Sequence, residues 1–195
     1  MKFKIFKFRT VRSTNDTAID LIKEKKKESG YVYAYKQTKG RGTHGKKWIS
    51  SKGNLFGSIF FPLKKNFPPF NEFSIINPVI IYDVIENFCK KENISFKWPN
   101  DVFVNGKKIC GILQEVVSTK KERFLIIGIG LNIISNPNLK KKYMATNILS
   151  ESKKKPTKKE VLNLIISSYK KFFYHLNSYN YKKFKKRAEF INKFN

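Results

Sequence analysis

Lys97-Trp98-Pro99-Asn100-Asp101-Val102-Phe103-Val104-Asn105-Gly106-Lys107-Lys108-Ile109-Cys110-Gly111-Ile112 is the stretch from which the fold of this chain is read. Residues 102–104 and 108–114 are short apolar segments on either side of Asn105-Gly106. That dipeptide readily supplies the two positive φ angles of a tight hairpin turn, so the flanking segments are read as paired antiparallel strands. Pro99 fixes the backbone between an aromatic and a carboxylate. Because the turn returns the chain, Lys108 comes back near Asn100 and Asp101, setting one cation and one carboxylate at the end of a rigid sheet. By itself that pair is also what a solvated turn would offer, with little energetic weight.

Working outward, residues 2–8 alternate as a strand should. Ser13 and Asp16 have the spacing of a capping pair, and Ala18, Leu21 and Ile22 form the apolar stripe of a helix that Gly30 ends. Residues 31–35 read as a second strand, 37–47 as a polar, glycine-dotted loop, and 54–61 as a third strand closed by Pro62. A linker over 64–69 leads to a helix over 72–91, with Phe73, Ile76, Ile80, Val84 and Phe88 at helical spacing; Pro78 is tolerable there only near the first turn. Residues 94–98 and 124–131 add strands, 161–176 form a helix with Leu162, Ile165, Ile166 and Tyr169 on one side, and 179–195 form a lysine-rich tail or frayed helix. Strands and helices without strict alternation predict an α+β domain, a mixed, mostly antiparallel sheet with helices packed on one face.

The 195 residues, 41% hydrophobic and 15% aromatic, suffice for one domain with a core. No apolar run reaches the roughly 20 residues of a membrane helix, since residues 75–85 are interrupted by Asn77, Pro78 and Asp83. The first nine residues lack the apolar block of a signal peptide, so a cytoplasmic protein without membrane partners is expected. Cys89 and Cys110 are too few for a disulfide framework or a zinc site and read as small buried hydrophobes. The net charge of +27 attracts anions of every kind. Lysine far outnumbers arginine, however, and is scattered with Ile, Asn, Phe and Tyr, as codon bias would produce. Readers of nucleic acid favour the arginine fork and a stacking surface, so no specific nucleic-acid partner is expected.

Three polar segments interrupt the pattern where strands end. Residues 37–48, QTKGRGTHGKKW, bring three glycines whose N–H groups can approach an anion, the charge of Arg41 and the flat face of Trp48. Lys97–Asp101 with Lys108 is the second segment. The third, Gly128-Ile129-Gly130-Leu131-Asn132, ends a buried strand and on its own could be no more than close packing. Together with Ser13-Thr14-Asn15, these blocks resemble the biotin–protein ligase family in order and spacing over roughly residues 9–175.

The resemblance implies a fold similar to the catalytic core of class II aminoacyl-tRNA synthetases and an ATP-dependent biotin–[acetyl-CoA-carboxylase] ligase working through biotinyl-5′-AMP. Position by position, Ser13, Thr14, Asn15 and Gln37 match residues of the biotin pocket. Arg41, Gly42 and Thr43 match the loop that closes over biotin and adenylate, and Lys108 the lysine that holds carboxylate and α-phosphate. Gly40, Trp48, Asn100 and Asn132 match the nucleotide side, and Asp101, with Lys108 and Arg41, completes the catalytic set. ATP, with Mg²⁺ as its counter-ion, and biotin are the implied small molecules; no protein metal site is implied. A biotin carboxyl carrier protein of acetyl-CoA carboxylase is the implied acceptor, and the chain would act as a monomer or weak homodimer. The catalytic domain is expected over 1–176, with residues 177–195 in place of the family's small β-barrel; neither a helix-turn-helix domain nor repressor function is expected. Thr43 stands where the family usually has a second arginine, which would weaken retention of the adenylate. A lipoate or octanoate ligase of the same fold, a basic nucleic-acid-binding protein and an inactive homologue are the competing readings. His44 reads as an exposed bystander and His175 as structural.

Overall fold

The structure is a computed structural model and describes residue 1, residues 3–137 and residues 144–192. Lys2 of the expected first strand and residues 193–195 of the expected tail lie outside the described residues. In chain order the elements are β1 (Lys4–Val11), α1 (Thr14–Lys23), β2 (Gly30–Gln37), β3 (Leu55–Pro62), α2 (Phe73–Ile85), β4 (Ile94–Lys97), β5 (Asp101–Val104), β6 (Lys107–Ser118), β7 (Arg123–Leu131), α3 (Ile148–Ser152), α4 (Lys158–Tyr174) and α5 (Tyr181–Asn192). The strands form one seven-stranded sheet in the order β1-β2-β3-β7-β6-β5-β4. Only β1 and β2 pair in parallel; the other neighbours are antiparallel. The α+β class and the mostly antiparallel sheet expected from sequence are both found.

Alternation divides the sheet into two faces. On one, Cys110 and Ile112 of β6 and Leu125, Ile127, Ile129 and Leu131 of β7 pack with residues of α2, α4 and α5 in the main core. On the other, Val117, Phe124 and Ile126 pack with Ala18, Leu21 and Ile22 of α1. The helices therefore cover both faces and not one, as the sequence had suggested. Gly111, Leu113 and Glu115 of β6, with Gly128 and Gly130 of β7, fall on the α1 face.

One irregularity sets the position of Lys108. The register runs Val102↔Cys110 and then Phe103↔Lys108, leaving Ile109 as an extra residue on β6. Ile109 and Cys110 are consequently both buried in the main core. Strict alternation would place Lys108 on the core face with Cys110 and Ile112; the bulge turns it to the face of Gly111 instead.

Four sequence expectations are corrected. Helix α1 stops at Lys23, with Glu24 as its C-cap, and Gly30 opens β2 instead. Beyond Ile22 the residues are Lys23-Glu24-Lys25-Lys26-Lys27, with nothing apolar left to bury. Ser13 occupies the N-cap position but its side chain makes no cap bond, and Asp16 turns to Arg41. Helix α2 ends at Ile85, and Pro78 lies in its interior. Burial of Phe73, Ile76 and Val79 through Ile81 holds that helix between sheet and helices despite the lost donor. Lastly, the lysine-rich segment after Leu176 is no loose tail. Ala188 and Ile191 of α5 are buried, Phe184 packs beside them, and Asn192 Oδ1 accepts the Phe96 N–H at 2.8 Å, while Lys182, Lys183, Lys185 and Lys186 face outward.

Candidate active site

The α1 face carries a cleft between the N-terminus of α1, the ends of β6 and β7, and the loop between β2 and β3. Ser13, Thr14, Asn15, Gln37, Arg41, Gly42, Thr43, Trp48, Asp101 and Lys108 all line it. They come from three separate blocks of sequence, residues 13–15, 37–48 and 101–108, and the fold brings all ten together.

The inner wall is neutral, and Thr14, Asn15, Gln37 and Ser58 are tied together by hydrogen bonds. Gln37 Oε1 accepts from the Thr14 N–H at 2.8 Å and lies 3.2 Å from Thr14 Oγ1, while Gln37 Nε2 donates to Ser50 Oγ at 3.0 Å. Ser58 Oγ donates to Asn15 Oδ1 at 2.5 Å and sits 2.8 Å from Thr14 Oγ1. Asn15 Nδ2 donates to Glu115 Oε2 at 2.7 Å. Buried polar side chains tied this way present fixed donors and acceptors without charge.

The floor is made of missing side chains. Gly111 and Gly130 face one another across β6 and β7, and a Cβ on either would lie 2.5 Å or 2.4 Å from the Trp48 ring. A Cβ on Gly128 would meet Asn15 Oδ1 at 2.3 Å. Only glycine lets the indole and the asparagine lie against the sheet here.

The loop over the cleft is a small closed ring. Arg41 and Lys47 form an antiparallel bridge, the Gly42 N–H donates to Lys46 O at 2.7 Å, and the Trp48 N–H donates to Gly40 O at 2.9 Å. Arg41 grips Glu115 with both terminal nitrogens, Nη1 to Oε1 and Nη2 to Oε2, each at 2.7 Å, and Nη2 also lies 2.8 Å from Asp16 Oδ1. Burial disfavours the Arg41 charge, but the bonds and charges of Glu115 and Asp16 outweigh it and raise the guanidinium pKa. At the mouth, Lys108 Nζ is 2.6 Å from Asp101 Oδ1 and 5.4 Å from the centre of the Trp48 ring. The return of Lys108 to Asp101, read from the Asn-Gly turn, is found as expected.

Three residues assigned to the nucleotide side do not line the cleft. Asn132 is buried, its Oδ1 taking Asn54 Nδ2 at 3.1 Å and its Nδ2 donating to Thr146 O at 2.9 Å. Asn100 is fastened to β6, with Nδ2 donating to Ile112 O at 2.9 Å. Gly40 acts on the loop, where a Cβ would meet Trp48 O at 2.6 Å. His44 is exposed with φ of 53°, and His175 caps the C-terminus of α4. Sequence reasoning missed Asp16 as a partner of Arg41, and also Glu115, Ser58 and Leu113. The glycines at 111, 128 and 130 inside strands were the available signal for a floor, and Glu115 follows Gly111 by two pleats on the same face.

The cleft therefore joins a neutral, hydrogen-bonding inner wall to a cation at its mouth, with an aromatic slab between. That suits an elongated ligand with a polar uncharged head and an anionic end. Among the described residues no cluster of three or more His, Cys, Asp or Glu could hold a metal ion, and no helix is long and apolar enough to cross a membrane.

Residues 7–132 match the model of the biotin/lipoate A/B protein ligase family. The chain is 36% identical over 132 residues to the bifunctional ligase/repressor BirA of Bacillus subtilis, an alignment covering 65% of this chain and 39% of that protein. The chain thus spans well under half the length of that curated relative. Among solved structures, the biotin protein ligase of Leishmania major in complex with biotin superposes with a TM-score of 0.82 at 25% identity, covering 96% of this chain and 81% of that one. Its complex with biotinyl-5-AMP gives 0.79 at 27% over the same shares. The Aquifex aeolicus enzyme in complex with biotin and ATP gives 0.78 at 28%, covering 94% and 76%.

Proposed function

As the chain belongs to the biotin/lipoate A/B protein ligase family, we propose that it activates the carboxylate of biotin with ATP and transfers the biotinyl group to a lysine of a biotin carboxyl carrier protein. One observation carries the reading: Lys108, turned out of the core by the β6 bulge and held by Asp101, stands at the mouth of a cleft whose far wall is neutral and rich in hydrogen bonds. The neutral wall of Ser13, Thr14, Asn15 and Gln37 suits a uncharged cyclic urea, and the cation suits the carboxylate at the other end of the molecule. Solved relatives of the same fold carry biotin, ATP or biotinyl-5-AMP.

The chemistry asks for these groups. A carboxylate is a poor electrophile and becomes reactive as a mixed anhydride with AMP, pyrophosphate leaving. Its approach to the α-phosphate brings two anions together, and the Lys108 ammonium, with loop N–H groups, offsets that repulsion. Mg²⁺ accompanies ATP as its counter-ion. Trp48 offers its outer face to the adenine. An acceptor lysine, with an ordinary pKa near 10.4, arrives protonated, and Asp101 is placed to take its proton or orient it as it attacks the acyl carbon. The loop over 40–48 shields the adenylate from water. We assign the catalytic unit to residues 1–176 with α5 docked on it, working in the cytoplasm as a monomer or weak homodimer.

The test is label transfer from radiolabelled biotin to a carrier domain with MgATP, with lipoate and octanoate as competing substrates. Transfer of biotin that disappears in Lys108→Ala, with the fold intact by circular dichroism, is the expected result. No transfer by a folded wild-type chain, or a preference for octanoate, overturns the proposal.

A further inference from the structure

Glu115 is shared by two parts of the cleft that sequence reading treated separately. It lies on β6, two pleats beyond Gly111, and its two oxygens receive three donors: Arg41 Nη1 on Oε1, and Arg41 Nη2 and Asn15 Nδ2 on Oε2, each at 2.7 Å. Asp16, on the first turn of α1, takes a second contact with Arg41 Nη2 at 2.8 Å. Among the described residues, no side chain of loop residues 42–47 hydrogen-bonds or ion-pairs outside the loop, so its polar fastening to the body runs through Arg41. Against this fastening stand two donors, Arg41 Nε and Trp48 Nε1, both buried and without a partner among the described residues. Opening the loop would let water satisfy both, which favours the open form.

We propose that Glu115 is the positioning residue of this cleft: it latches the loop shut through Arg41 and, through Asn15, orients the inner wall, so that loop closure and pocket shape are set by one carboxylate. Asp16 is the auxiliary arm of the latch. This rests on the reading of the cleft as a biotin and adenylate site, but its first consequence needs no substrate. The fork geometry of guanidinium and carboxylate makes the pairing directional, so a neutral side chain of the same size weakens it without emptying the space. Removing the carboxylate leaves Asn15 Nδ2 without its 2.7 Å acceptor as well. Lys108, which pairs with Asp101 and not with Glu115, keeps its position at the mouth.

Limited trypsin digestion read by mass spectrometry tests the latch in the ligand-free full chain. The ratio measured is nicking at Lys46–Lys47, in the loop, to nicking at Lys25–Lys27, in the α1–β2 connection, which serves as internal standard. Glu115→Ala should raise this ratio about fivefold or more, Glu115→Gln by an intermediate factor, and Arg41→Ala at least as much as Glu115→Ala, since it also releases the Asp16 arm. The double variant Arg41→Ala/Glu115→Ala should add nothing further, because one latch is lost once. In biotin transfer, KM for biotin should rise by a larger factor than kcat falls, whereas Lys108→Ala should act on kcat. An unchanged ratio in a folded Glu115→Ala variant, or additive effects of the two substitutions, overturns the latch whatever the activity. Absence of biotin transfer in the wild type overturns the functional reading, and the nicking ratio still decides the latch.

Discussion

Replacing Gly130 by alanine separates what the sheet needs from what the cleft needs. The new Cβ would lie 2.4 Å from Trp48 Cε2 and 2.6 Å from both Cζ2 and Nε1. Carbon atoms rest at about 3.5–4.0 Å, so the indole must retreat by roughly 1 Å or more. It can do so, because it rides on a surface loop. Within β7 the substitution itself favours folding, as glycine in a strand interior costs about 0.5–1 kcal/mol relative to alanine. We therefore expect stability to change by no more than about 1 kcal/mol, while the stacking face for adenine is displaced. Base–aromatic stacking contributes about 1–3 kcal/mol, so nucleotide affinity should fall ten- to hundredfold. Gly57→Ala is the control with the opposite signature. Its Cβ would strike Tyr31 at 2.2 Å from the hydroxyl oxygen and 2.5 Å from Cζ, and Tyr31 is fully buried in the main core. A ring that cannot retreat makes this an overpacking change of about 1–3 kcal/mol or more, with a Tm lower by roughly 2–4 °C per kcal/mol. Urea unfolding with calorimetric titration of ATP measures both, and Trp48 fluorescence in a Trp98→Phe background reports the ring. If Gly130→Ala destabilises as much as Gly57→Ala, or leaves ATP affinity within twofold, the account of Trp48 lying on a glycine floor is wrong.

Ile191→Ala should cost about 2–5 kcal/mol, since Ile191 is buried in the main core although it belongs to the lysine-rich segment; a urea midpoint within error of wild type would show that α5 does not dock. Thr157→Ala should cost about 1 kcal/mol by opening the capping box that Thr157 and Glu160 close at the start of α4, measured by thermal unfolding. Burial pushes the Cys89 thiol up to about 11, and Cys110 is pushed up further by burial, against the pull of Lys108. Both folded-state values lie above the unfolded one, so their contribution is fully present below the ordinary thiol range and is lost as pH rises through the folded values. Stability should decline from pH 9 to pH 11, and disulfide reagents should react with the native chain at pH 8 far more slowly than with the unfolded one; equal rates would place the thiols at the surface. Any binding to nucleic acid by the +27 chain should fade steeply near 150 mM salt in a gel-shift assay, as scattered phosphate contacts do; sequence-specific binding that survives there would revive the nucleic-acid reading.

The sequence was most legible where local chemistry dictates conformation. Asn105 and Gly106 take φ of 51° and 69° at the turn, and the hairpin they close brings Lys108 to Asp101 as read. The glycine loop and the Ser13–Asn15 block likewise converge on one cleft because each follows a strand end. Three features stayed hidden for physical reasons. The bulge at Ile109 leaves no mark in a run of apolar residues, since Ile109 and Cys110 suit the core equally well. The partners of Arg41 lie 25 residues before it and 74 after it in sequence, a separation that no local pattern encodes. In α5 the charged residues outnumber the apolar ones, so burial of Ala188 and Ile191 was masked by Lys182, Lys183, Lys185 and Lys186 around them.

The cleft itself arises from a gradient of side-chain size along the strands. On the α1 face, β7 runs Phe124, Ile126, Gly128, Gly130 and its neighbour β6 runs, in the opposite direction, Val117, Glu115, Leu113, Gly111. At one end, Val117, Phe124 and Ile126 fill the space beneath α1; at the other, glycines leave it empty, and the indole of Trp48 enters from above. The alternate residues of the same strands, Ile127, Ile129 and Leu131 with Cys110 and Ile112, are locked in the main core. A shift of one residue in either strand would put glycines into the core and isoleucines into the cleft, so the register that stabilises the fold also protects the site. The cleft is thereby as rigid as the core beneath it, and motion is left to the loop above, where Arg41 and Glu115 control it.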